Sequence, residues 1–137
     1  MFNLFALAKD DAGSITNESL MRDLQNDPGF KQFRIFTEDL QLPRTTIVVM
    51  EKDGWRVRFF IRPGADMTLS VTEVKKVMGK NAAKLPANFL DYNTEIAIVF
   101  GDDPGKRFTN DIIEIGEFVR GNYPGVVIFD QYNKDVW

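Results

Sequence analysis

Apolar and polar positions change period several times along the chain, and each change marks an element. Phe2–Ala8 is almost continuously apolar and predicts a strand. Leu20, Met21 and Leu24 recur at helical spacing behind Thr16 and Asn17, either of which caps a helix running to about Asn26. Asp27-Pro28-Gly29 breaks it. Residues 30–42 are ambiguous. Phe30, Phe33 and Phe36 suit one short helical face, while "FRIF" equally suits a strand.

The stretch "TTIVVMEKDGWRVRFFIRPG" is unambiguous. Two β-rich runs flank Asp53-Gly54, a two-residue hairpin turn of type I′. The turn sets Lys52 opposite Trp55, Glu51 opposite Arg56, Met50 opposite Val57, Val49 opposite Arg58, Val48 opposite Phe59 and Ile47 opposite Phe60. Alternation then assigns Val48, Met50, Val57, Phe59 and Ile61 to a core face with the Trp55 ring. Arg56, Arg58, Phe60 and Arg62 take the other face, with Ile47, Val49 and Glu51 across from them.

Farther on, "SVTE" predicts a capping box between Ser70 and Glu73. Val71, Val74, Val77 and Met78 form the buried stripe of that helix, Lys75, Lys76 and Lys80 point outward, and Gly79 or Asn81 ends it. A connection over 84–94 leads to a strand at Glu95–Phe100. A helix from about Asp111 to Arg120, ending before Gly121, precedes a strand at Val126–Phe129. Gln131–Asn133 turns into a short last segment, Asp135-Val136-Trp137. No repeat or linker interrupts the sequence, which predicts one domain over 1–137. Hairpins and short connections predict an α+β fold, a mixed or antiparallel sheet with helices packed mainly on one face.

Composition narrows the chemistry. The 137 residues are 44% hydrophobic and include 12 Phe and 2 Trp, enough for a packed core. There is no Cys, which removes disulfides, thiolate catalysis and zinc–thiolate sites. There is no His, which removes the commonest general base and transition-metal ligand. Ser-His-Asp triads, zinc hydrolases and two-histidine iron sites are excluded. A net charge of −3 disfavours broad nucleic-acid binding, which needs clustered positive charge. The first apolar run lacks a basic start and stops at Lys9-Asp10-Asp11, unlike a secretory signal. No segment has membrane-spanning length. The expected location is cytoplasmic.

Two stretches invite a functional reading. "EIAIVFGDDPGKRFTND" ends an apolar run in Gly-Asp-Asp. A phosphate loop fails here, because Gly101 and Gly105 enclose only three residues, Arg107 replaces the hydroxyl, and Pro104 removes a donor. Asp102 and Asp103 at a strand end suit a metal-assisted phosphoester enzyme, but six oxygen ligands need further acids. Asp-Asp-Pro-Gly is also a plain turn, with Thr109 or Asn110 capping the next helix. The favoured expectation is the turn, with no catalytic residue, metal or cofactor.

The second stretch is the arginine face. Arg56, Arg58 and Arg62 with Phe60 suit RNA phosphates and bases, a solvated face with Glu51–Arg56 pairing, or a protein interface. Ile47, Val49 and Phe60 make the face less polar than a solvated one, so either a helix or a partner is expected to cover it. Tyr132 and Trp137, near the chain end, form a second candidate contact patch.

The late segment "DYNTEIAIVFGDD … FTNDIIEIGEFVRGNYPGVVIFDQYNKDVW" resembles the C-terminal half of small bacterial immunity-type proteins, which pair with polymorphic or contact-dependent toxins. The resemblance covers the C-terminal third and carries over no functional residue. It implies a non-catalytic α+β protein that blocks a secreted toxin domain by binding it. The expected activity is therefore protein binding, with Arg56, Arg58, Phe60, Arg62, Tyr132 and Trp137 as contact residues. The alternatives are the Asp102/Asp103 enzyme and a nucleic-acid binder using Arg56, Arg58 and Arg62.

Overall fold

The Asp53-Gly54 turn organises half of the sheet. In the computed structural model, which describes residues 2–137, both turn residues have positive φ, 52° and 80°, as the type I′ geometry requires. Strands β3 (Arg44–Lys52) and β4 (Trp55–Pro63) pair around it in the expected register from Lys52↔Trp55 to Val48↔Phe59. Strand β1 is Phe2–Ala8, β5 is Thr94–Phe100, β6 is Val127–Asp130 and β7 is Asp135–Val136. The ambiguous stretch resolves into a 3-10 turn at Pro28–Phe30 and a strand, β2, at Arg34–Gln41. All seven strands form one antiparallel sheet in the order β2-β3-β4-β5-β1-β6-β7.

The two longer helices, α1 (Asn17–Asn26) and α3 (Thr109–Asn122), share one face. Leu20, Leu24, Ile115, Phe118 and Val119 meet Leu4, Val48, Met50, Val57, Phe59, Ile98 and Phe100 there. The short helix α2 (Val71–Met78) and the 3-10 turns after it cover part of the opposite face. Val74, Met78, Phe89 and Tyr92 pack on Phe5, Leu7, Ala97, Val127 and Phe129. That second core sits over β5, β1 and β6. Among the described residues, no helix is long and apolar enough to cross a membrane.

Several local expectations are corrected. The capping box forms at Thr16 and Ser19, whereas Ser70 caps α2 with no side-chain hydrogen bond. Val77 stands out of the α2 stripe and is exposed. Helix α3 continues past Gly121, and neither Thr109 nor Asn110 caps it, because Phe108 is the N-cap residue. The missing cap is supplied from farther back. Both Asp103 carboxylate oxygens accept main-chain N–H groups, from Arg107 at 2.9 Å and Phe108 at 2.8 Å. The triplet of phenylalanines splits: Phe30 and Phe33 enter the helix-side core, while Phe36 sits on the other face of β2.

Candidate protein interface

Strand alternation places Arg56, Arg58, Phe60 and Arg62 on one face of β4, beside Ile47, Val49 and Glu51 of β3. Beyond β3 lies β2, whose Arg34, Phe36, Glu38 and Leu40 share that face through the pairs Arg34↔Glu51, Phe36↔Val49 and Glu38↔Ile47. Neither a helix nor a partner buries Ile47 and Val49, which are 1% and 0% exposed. The long side chains of β2 and β4 cover them instead. Guanidinium stems and aromatic rings laid over aliphatic groups bury apolar area while keeping charge in water.

That cover is cross-linked. Arg34 meets Glu51 at 2.7 Å, and Arg56 Nε donates to the other Glu51 oxygen at 2.5 Å. Arg56 also reaches Glu38 at 3.4 Å, and Arg58 approaches Glu38 at 3.8 Å. The Arg34 and Arg56 guanidiniums stand 4.5 and 5.6 Å from the Phe36 ring centroid. Charge thus alternates across three strands, with three guanidiniums against two carboxylates. Hydrogen bonds from Arg56 and then Arg34 hold the Glu51 carboxyl below the usual carboxylate range. Exposed pairs of this kind add little stability singly, but they fix where each charge stands.

Arg62 is committed differently. It lies 5.0 Å from the Phe60 ring centroid and 3.3 Å from Glu95, whose side chain is fully buried. Glu95 also accepts from the Thr68 hydroxyl and from the Thr68 and Leu69 N–H groups. The pair therefore ties the segment leading into α2 onto β4 and β5. A buried carboxylate satisfied this fully is a structural clasp.

Both ends of the face are concave. A groove of about 450 Å³ opens where Arg56 and Arg58 meet the 101–108 loop, with Asp102 and Arg107 on its wall. A second, of about 460 Å³, lies at the other end between Leu40, Leu42, Phe60 and Arg62. Leu42, at the tip of the β2–β3 hairpin, is 96% exposed.

The 101–108 loop is built as a turn. Gly101 donates its N–H to the Arg56 carbonyl at 2.8 Å, and its own carbonyl accepts the Trp55 indole N–H at 2.9 Å. Asp103 spends its carboxylate on the N–H groups before α3. Among the described residues, no three acidic side chains converge as metal ligands would.

Tyr132 and Trp137 lie at the far edge of the sheet. Four strand spacings separate β4 from β7, roughly 19 Å. Tyr132 is 87% exposed beside Phe2 and Asn3. The Trp137 ring stacks 5.9 Å from Phe2 and packs on Gly116 of α3, and its indole N–H donates to Asp130. Asp130 is 1% exposed and also accepts from the Tyr132 and Asn133 N–H groups, so it shapes the turn that presents both aromatics.

Sequence reasoning placed Arg56, Arg58, Phe60 and Arg62 on this face but not Arg34, Phe36 and Glu38, because β2 was not distinguished from a helix. The signal that reveals them is "RIFTEDLQLP" read with period two, ending at Pro43. Comparison with known proteins gives no match to a family model, to a curated protein or to a solved structure.

Proposed function

We propose that the chain is a non-catalytic binding protein that engages another protein through the β2–β3–β4 face, acting in the cytoplasm as an immunity-type inhibitor of a toxin domain. One observation carries the reading: on the side of the sheet away from α1 and α3, the second core reaches only Phe60 of β4, and the rest of the β2–β3–β4 face presents ordered arginine, glutamate and phenylalanine side chains. Arginine and aromatic groups dominate binding energy at protein interfaces. Holding them in place before contact lowers the entropy lost on docking. The paired carboxylates leave only one guanidinium in excess, which suits a mixed polypeptide surface better than a phosphate backbone. The toxin-blocking form of the proposal rests on the resemblance of residues 91–137 alone.

The test is affinity capture from the native cell with wild type and Arg58→Glu in parallel. Arg58 is about one-third exposed and only loosely paired, so the variant should remain folded, losing about 1 kcal/mol in a denaturant melt. A toxin-domain partner retained in equal amount by wild type and depleted at least tenfold by the variant supports the face. A stoichiometric partner held equally by both proteins would place the binding site elsewhere.

A further inference from the structure

The edge strand β2 supports a step beyond that reading. It is eight residues long and regular, and Thr37 and Asp39 are exposed on its helix-side face. Its outer main-chain groups can be assigned. The two-residue turn makes Lys52↔Trp55 a hydrogen-bonded pair, so Met50 and Val48 turn their main-chain groups toward β4. Glu51, Val49 and Ile47 must then turn theirs toward β2, where they pair with Arg34, Phe36 and Glu38. The N–H and C=O groups of Ile35, Thr37 and Asp39 are left facing out along the edge.

We propose that this edge pairs with β2 of a second copy of the chain, forming a symmetric dimer through one continuous sheet. The occupant follows from the charge pattern. An antiparallel pairing centred on Phe36 sets Arg34 opposite Glu38 of the second copy, Glu38 opposite its Arg34, and Phe36 opposite its Phe36. Ile35 and Thr37 then fall opposite each other as hydrogen-bonded pairs, giving about four new main-chain bonds. Opposite charges and facing aromatics are both favourable cross-strand pairs. Sliding the strands by two residues sets Arg34 opposite Leu40 or Phe36 of the second copy and leaves every charge without a counterpart. Charged edge strands ordinarily deter pairing, but here one register gives both charges of the open face, Arg34 and Glu38, an opposite partner.

The axis of such a dimer is perpendicular to the sheet, so both open faces lie on the same side. Two copies of β4-β3-β2 then form one surface twice as wide as that of a single chain. The dimer does not depend on the identity of any other partner.

Sedimentation velocity on the purified chain tests it. Wild type is expected to run as a concentration-dependent dimer at high micromolar concentration, and a wild type that stays monomeric there overturns the proposal. Thr37→Pro removes an outward N–H that β3 does not use, so it should give a folded monomer; a Thr37→Pro chain that dimerises like wild type overturns the β2 edge. Arg34→Glu leaves two acids on the open face of the strand, and Glu38→Arg leaves two bases there, so each variant alone should be monomeric. An equimolar mixture of the two restores both opposite-charge pairs and should recover the dimer. That recovery also shows that both variants are folded, whereas a mixture that remains monomeric, although near-UV circular dichroism shows both folded, would refute the register.

Discussion

At the scale of single residues, the most informative side chain is one outside the candidate interface. Tyr123 follows α3, is buried, and its hydroxyl has no hydrogen-bond partner among the described residues. Burial, with a smaller push from the Asp23 charge, raises its pKa to about 12. A folded pKa above the unfolded one stabilises the fold fully below the unfolded value near pH 10, and that stabilisation is lost as pH rises through 12. Wild type should therefore lose stability on the order of 2 kcal/mol between these values. Tyr123→Phe should remove that contribution and leave neutral stability unchanged or higher by about 1 kcal/mol, since an unpaired hydroxyl no longer has to be buried. Urea melts of both proteins at pH 7 and pH 11 check this; an equal alkaline loss in both would assign it to another group. Such a residue is invisible in sequence, where Tyr123 reads only as a turn residue before Pro124. Glu95 is similar, because its donors Arg62, Thr68 and Leu69 lie 26 to 33 residues away in the chain. Arg56 and Arg58, by contrast, were legible because a turn and a two-residue period place them without any long-range information.

At the scale of elements, legibility followed how local the determining signal was. The β3–β4 hairpin was readable from Lys52↔Trp55 to Val48↔Phe59, while the expected Ile47–Phe60 pair lies beyond the observed pairing. β2 was not, since Phe30, Phe33 and Phe36 imitate a helical stripe while belonging to a 3-10 turn, a bend and a strand. With β2 unplaced, the cover over Ile47 and Val49 had to be sought in a helix or a partner. At the Gly-Asp-Asp stretch the expected turn answers a packing requirement that the sequence alone did not display. A Cβ on Gly101 would lie 2.9 Å from the Arg56 carbonyl oxygen and 3.2 Å from the Trp55 ring. That ring is itself held by a parallel stack with Phe108, 4.5 Å between centroids. Neither neighbour can yield easily, so Gly101→Ala should cost about 2 kcal/mol through overpacking. Gly105→Ala meets nothing closer than 3.7 Å and should cost less than about 0.5 kcal/mol. Denaturant midpoints followed by tryptophan fluorescence compare the two. An equally small loss in both would show that the β5 end and its loop are looser than this packing implies.

At the scale of the whole molecule, the titratable groups leave a broad neutral interval without a side-chain switch. The sequence has no histidine and no cysteine. On the acid side, Glu51 is lowered by Arg56 and Arg34, and Asp135 by Lys84 and the Val136 N–H. Burial alone would raise Asp10, but N–H groups of Ile15 and Ser14 and the Ser14 hydroxyl outweigh it and lower that carboxyl too. A depressed folded pKa means that the unfolded chain binds more protons in the intervening window. These three groups therefore stabilise the fold above the usual carboxylate range, and that stabilisation is lost as pH falls through their folded values. Tyr123 acts at the opposite limit, above pH 10. The melting temperature should accordingly be flat from about pH 6 to pH 9 and fall on both sides, with the acid fall shallower in Glu51→Gln. Because Glu51 joins Arg34 to Arg56, the same titration loosens the β2–β3–β4 face, so partner binding should weaken on acidification before the fold is lost. Binding measured from pH 7 down to about pH 3, alongside melts in the same buffers, separates the two. A midpoint near pH 6.5 in either curve would contradict the assignment, since the described structure places no imidazole or thiol at that face to produce it.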